Sequence, residues 1–188
     1  SYDGIAGEIE RGTLALVLAT PIRREELLVG KLIGAFAVLT IAVLVGYGIA
    51  GGTLVVLDGW TYGGVMAWVR LAATALALGA VFLGVGAALS AATQHAGTAA
   101  ALAIGVWLVT VVLYDLVLLG AVVVAGDSLF TKVVFPILVL LNPGDAFRLF
   151  NLAMLEAQAP VAGLDGLAST LPFPPTVALA TLVGWFAV

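Results

Sequence analysis

Residues 32–57 read LIGAFAVLTIAVLVGYGIAGGTLVVL, 26 positions in a row without a charged side chain. A helix needs about 20 apolar residues to cross a hydrocarbon core of about 30 Å, so this stretch is long enough to span a bilayer. Asp58-Gly59 ends it, and Trp60 and Tyr62 follow as an aromatic anchor at the membrane interface. Two more such stretches lie downstream. Residues 71–94 carry no charge, and their Gly79, Gly84, Gly86 and Ser90 would let a neighbouring helix come close. After the polar turn Thr93-Gln94-His95, a third span is expected from about residue 98 to 125, closed by Asp127-Ser128. The fold class that follows is an all-α polytopic membrane protein.

Composition agrees. Of the 188 residues 63% are hydrophobic and 10% charged, where a soluble domain would be about a quarter charged. There is no basic stripe to bind nucleic acid. With no cysteine, disulfides, thiolate metal sites and cysteine nucleophiles are excluded. His95, the single histidine, has no second histidine or cysteine to share a metal with. Ser90 and His95 do not make a nucleophile and base, because nothing in a tight turn orients the imidazole. We expect the chain to be a piece of a longer membrane protein.

Residues 126–170 differ from the spans. The apolar run 133–141 is interrupted by Pro136 and is too short to cross a bilayer. Asn142-Pro143-Gly144-Asp145 places Asn at an N-cap and Pro at the first helical position, which predicts an amphipathic helix to about residue 157. The segment 133–157 is read as helices lying in, or dipping into, one membrane interface. A Gly/Pro/Asp loop follows over 159–170, and a last, truncated span opens at about Thr176.

The densest charge lies in residues 1–31, SYDGIAGEIERGTLALVLATPIRREELLVGK, with five of the eleven acidic and four of the seven basic residues. Ile5 and Ile9 share a helical face, with Glu8 and Arg11 on another, and Gly12 is expected to break that helix. Thr20-Pro21 predicts a new helix start, which would run straight into the span at Leu32. An ordinary helix at a lipid surface would fit these features equally. Lysine and arginine are concentrated before the first span, which puts residues 1–31 in the cytoplasm and 127–170 outside. Four segments result: 1–31, the spans 32–126, the outer helices 127–170, and the last span from 171.

Asp115 is the one charge inside a span, roughly 25 Å along its helix, and an unpaired carboxylate there would cost about 3 kcal/mol. It is expected to face the bundle, paired with Arg70 or with a residue of the outer helices, either as a structural ion pair or as part of a substrate path or gate. Glu8 and Glu10 diverge on a helix and are no catalytic pair. No G-x-x-x-x-G-K-[ST] phosphate loop occurs, so any ATP-driven work needs a partner that binds ATP and Mg. This chain itself is expected to be non-catalytic and to bind no cofactor.

Glu8-x-Glu10-x-Gly12-Thr13-Leu14-x-Leu16-x-Leu18-x-Thr20-Pro21-x-x-Arg24, followed by Leu27-Leu28-x-Gly30-Lys31, resembles the cytoplasmic segment of type-2 ABC exporter permeases. The resemblance implies six spans in the full protein, of which the first two and the end of the sixth would be missing here. It makes this segment a coupling helix between spans two and three, with Ile5, Glu8, Ile9, Glu10, Arg11, Gly12, Thr13, Thr20, Pro21, Arg24 and Lys31 serving an ATPase partner. Leu113-Tyr114-Asp115-Leu116 and the stretch from Phe135-Pro136 to Asn151-Leu152 look like one branch of that family. That branch supports copper-site maturation of nitrous oxide reductase in denitrifying bacteria. This implies a permease homodimer, two ATPase subunits, and a periplasmic β-helix protein contacting Asn142, Pro143, Asp145, Phe147 and Arg148. Other readings are a generic exporter of lipid, drug or glycan, or a scaffold or channel without an ATPase.

Overall fold

A computed structural model describes residues 23–126, 128–156 and 173–185, with Gly7 and Gly12 besides. The described residues are helical and contain no strand. Helix α1, Arg24–Asp58, is one unbroken rod of 35 residues, about 52 Å long at 1.5 Å per residue. It starts at Arg23, whose backbone N–H donates to the Glu26 carboxylate at 3.0 Å. The first described turn is therefore capped from Glu26, and the helix start expected at Thr20-Pro21 lies outside the described residues. It stops where Gly59 takes φ 81°, a conformation open to glycine at no steric cost.

Helix α2, Tyr62–Ala92, begins nine residues earlier than the uncharged run. Thr61 caps it, its hydroxyl accepting from the Gly64 N–H at 3.2 Å. Arg70 consequently lies two turns inside the helix rather than at its start. The third span is a composite. Helix α3, Ala96–Leu108, passes through a π-turn at Val109–Leu113 into α4, Tyr114–Ala125. These three stretches are long and apolar enough to cross a membrane.

Small residues set how α1 and α2 meet. A Cβ on Gly79 would stand 2.5 Å from Leu39 Cδ2, so the absence of a side chain is what lets the two spans approach. Gly51 likewise lies under the Trp68 indole, whose Nε1–H donates to the Tyr47 carbonyl at 2.6 Å. Gly84 has nothing within 4 Å of where its Cβ would be and does not serve as a contact. It lines an apolar cavity with Leu32, Ile33 and Phe36 instead.

After Gly126 a π-turn at Phe130–Val134 leads into α5, Phe135–Leu141, and then into α6, Pro143–Glu156. The two arms meet at 106°. Pro136 does not interrupt this run as its sequence suggests. The turn before it widens so that the Phe135 N–H reaches the Phe130 carbonyl five residues back. The wider turn gives the proline ring the room that an α-helical Lys132 carbonyl would occupy. The arms and the last helix, α7 (Pro175–Gly184), share a small core of Leu140, Ala146, Phe150 and Ala178. That core holds the hairpin against α7, while α6 also packs on α2.

Candidate functional site

Before the terminal Glu156, the polar residues of α6 are Asn142 at its cap, then Asp145, Arg148 and Asn151, one every third position. At 100° per residue, three residues fall 60° short of a full circle. The stripe therefore winds halfway round the helix and reaches two different spans. Its middle faces the third span, and its end faces α2.

Asn142 is 5% exposed and makes two bonds that need its whole amide. Its Oδ1 accepts the Gly144 N–H at 2.9 Å, satisfying one of the donors left open at a helix start. Its Nδ2 donates to the Thr110 carbonyl at 2.5 Å. That carbonyl is open because of the π-turn, since the Tyr114 N–H bonds to Val109 five residues back and not to Thr110. A widened turn in one helix and the N-cap of another thus complete each other.

The neighbouring side chains continue the join. The Tyr114 hydroxyl donates to the Leu138 carbonyl at 2.6 Å, and the Trp185 indole donates to the Leu141 carbonyl at 3.0 Å. Both acceptors belong to the last turn of α5, whose carbonyls have no partner within the helix. At the far end of the stripe, Asn151 Nδ2 donates to the Thr74 hydroxyl at 2.9 Å. Thr74 in turn is 4% exposed and donates to the Arg70 carbonyl.

Asp115 meets Arg148. Guanidinium Nη1 lies 2.6 Å from Asp115 Oδ2 and 3.1 Å from Asp145 Oδ1, so one nitrogen serves two carboxylates. The partner of Asp115 is thus a residue of the outer helices, not Arg70, whose Nε is buried without a hydrogen-bond partner. Geometry explains the choice, because Arg70 lies on the face of α2 that carries Thr74, and Thr74 receives the opposite end of the stripe. In α6, outside the three spans, burial pushes the Asp145 carboxyl up to about 6. The Asp115 charge and a hydrogen bond with Asp115 add to this, and Arg148 opposes it. The hydrogen bond that Arg148 itself donates to Asp115 holds its guanidinium further into the charged form.

Of the residues expected to meet a periplasmic partner, Asn142, Pro143 and Asp145 are buried and Phe147 is half-buried. Asn142 is bonded to the third span, and Arg148 is exposed while engaged with Asp115 and Asp145. Among the residues expected to couple to an ATPase, Ile5, Glu8, Ile9, Glu10, Arg11, Thr13, Thr20 and Pro21 lie outside the described residues. Gly12 sits in a turn at φ 68°, Arg24 opens α1, and Lys31 lies two turns along it. His95 is exposed at the start of α3, while Ser90 is 1% exposed. Sequence reasoning missed Tyr114, Asn151 and Thr74 as parts of one network. The signal for Asn151 was present in the spacing of polar residues by three.

Comparison with known proteins adds an independent line. A family model described as "ABC-2 family transporter protein" matches residues 1–188. The chain is similar to a Stutzerimonas stutzeri protein named "Probable ABC transporter permease protein NosY". The two are 38% identical over 190 residues, covering all of this chain and 68% of the relative. A Pseudomonas aeruginosa protein of the same name is 37% identical over 187 residues, covering 98% of this chain and 67% of the relative.

Proposed function

The chain belongs to the ABC-2 family of transporter proteins, and from that premise we propose that it is the permease of a NosDFY-type complex. In this reading it works as a homodimer in the bacterial inner membrane. A NosF-like ATPase binds ATP and Mg and docks on residues 1–31 in the cytoplasm. A NosD-like β-helix protein sits over residues 127–170 in the periplasm, and the complex supports copper-site maturation of nitrous oxide reductase. The observation that carries this is likeness along the whole chain to permeases named NosY.

The geometry fits a mechanical role. ATP binds the open and closed forms of an ATPase dimer with different affinity, and only such a difference can bias a membrane domain between two states. Force applied before Arg24 acts on α1, an unbroken rod that can tilt but has no break at which to absorb the motion. Tilting α1 moves α2 through the close contacts at Gly79 and Gly51. α2 then carries α6 with it through Thr74 and Asn151. The hairpin is the output of this train, because it is joined by polar bonds to α2, to the third span and to Trp185 beyond α7.

The test is charge reversal at the docking segment. Glu8→Lys combined with Glu10→Lys should lower co-purification of the ATPase at least about tenfold, as expected when complementary charges at an interface are opposed. Undiminished binding with fully coupled ATP hydrolysis would rule out a docking role for these residues.

A further inference from the structure

The junction of α6 with the third span holds a charge imbalance that its hydrogen bonds do not cancel. Two carboxylates, Asp115 and Asp145, share one nitrogen of one guanidinium, so the fully ionised cluster carries one negative charge in excess. Asp145 is 8% exposed, with little access to water. Among the described residues the charges that act on it are those of Asp115 and Arg148. From the third span the ionisable residues at the cluster are Asp115 and Tyr114, and from α6 itself Arg148. The described parts of α5 and α7 contain no ionisable residue. On α2 the ionisable residues are Tyr62 and Arg70, and Arg70 makes no ion pair with the cluster. The arm that carries Asp145 begins at the 106° bend, where Asn142 is bonded to the π-turn at Thr110.

We propose that this junction is a proton-sensitive latch: with one proton on Asp145 the cluster is neutral and α6 stays docked on the third span, and loss of that proton releases α6 about the Asn142 bend. The ligand of the latch is a proton, held between the two carboxylates beside Arg148. The sign follows from linkage. Burial and Asp115 raise the Asp145 carboxyl to about 6 when docked, against an ordinary value of 3.8. The docked state therefore binds the proton more tightly, and its advantage is complete below the ordinary value and lost as the pH rises through 6. Between pH 8 and pH 5 the docking equilibrium should shift about tenfold towards the docked form.

These 188 residues contain no cysteine, so cysteines introduced among them are the only label sites they carry, and the same complex without the introduced cysteines serves as the labelling blank. Leu152→Cys on α6 and Leu119→Cys on α4 offer two exposed sites, and their separation can be measured in the full permease complex in lipid nanodiscs. The expected result is a second, longer distance that grows from pH 5 to pH 8 with a midpoint near pH 6. Asp145→Asn should remain docked at every pH. Asp115→Asn should move the midpoint to lower pH, because Arg148 then neutralises Asp145 alone. Arg148→Gln should move it to higher pH. An unchanged distance distribution in the wild type, a titration that survives in Asp145→Asn, or midpoints displaced in the same direction by the other two variants would overturn the proposal. If Asp145→Asn does not fold, the opposed displacements of Asp115→Asn and Arg148→Gln decide it.

Discussion

Asn142 is the residue whose loss the fold should feel most for its size. Replacing it with alanine removes two separate contributions. The cap on the Gly144 N–H is worth about 1 kcal/mol. The Thr110 carbonyl then has no partner, and with Asn142 only 5% exposed there is little room for water to replace it. An unsatisfied buried acceptor costs about 1–3 kcal/mol, so Asn142→Ala should lose about 2–4 kcal/mol in all. Serine separates the two contributions, because its hydroxyl can cap the helix but is too short to reach across to Thr110. Asn142→Ser should therefore lose only the second part. Equilibrium unfolding in mixed micelles, driven by increasing denaturing detergent, would measure both variants against the wild type. If Asn142→Ala lies within about 0.5 kcal/mol of the wild type, the range of an uninvolved surface position, the join between cap and π-turn contributes nothing. If serine costs as much as alanine, the cap is not part of the account.

Two further outcomes follow from the packing. Gly51→Ala would place a Cβ 2.7 Å from the Trp68 indole, which is held by its bond to Tyr47. The crowding should cost about 1–3 kcal/mol in the same unfolding measurement, while Gly52→Ala, with open space around it, should be neutral or mildly stabilising. Tyr114→Phe leaves the Leu138 carbonyl without its donor. It should cost about 1–2 kcal/mol and speed amide hydrogen exchange in α5 before it affects α1.

The spans were legible because lipid imposes a simple rule, that a long run must be apolar and its backbone bonded within itself. Gly59 and Gly126 mark two of their ends, both at positive φ. The cap at Asn142-Pro143 was equally plain, because it depends on a few adjacent residues. Other features depend on contacts far apart in sequence. The start of α2 at Tyr62 is set by the Thr61 cap, while the charge of Arg70, tolerated inside the helix, made the span look shorter. Neither π-turn could be read from VTVVL or FTKVV, since one is completed by Asn142 some thirty residues away and the other accommodates Pro136. Asp115 was expected to pair with Arg70 or an outer helix, and only the winding of the stripe on α6 distinguishes the two.

The π-turn at Val109–Leu113 has an effect on the whole of the third span. One extra residue in a turn advances everything after it by about 100°. The two halves of this span are therefore out of phase, so the face that α3 turns to α2 is not continued by α4. That offset aims Tyr114 and Asp115 at the hairpin. Removing a single residue from the turn would restore a regular helix and rotate Asp115 a quarter of the way round, off Arg148, without altering any side chain of the network. In this protein the contact between a span and the outer hairpin is specified by the number of residues in a turn as much as by their kind.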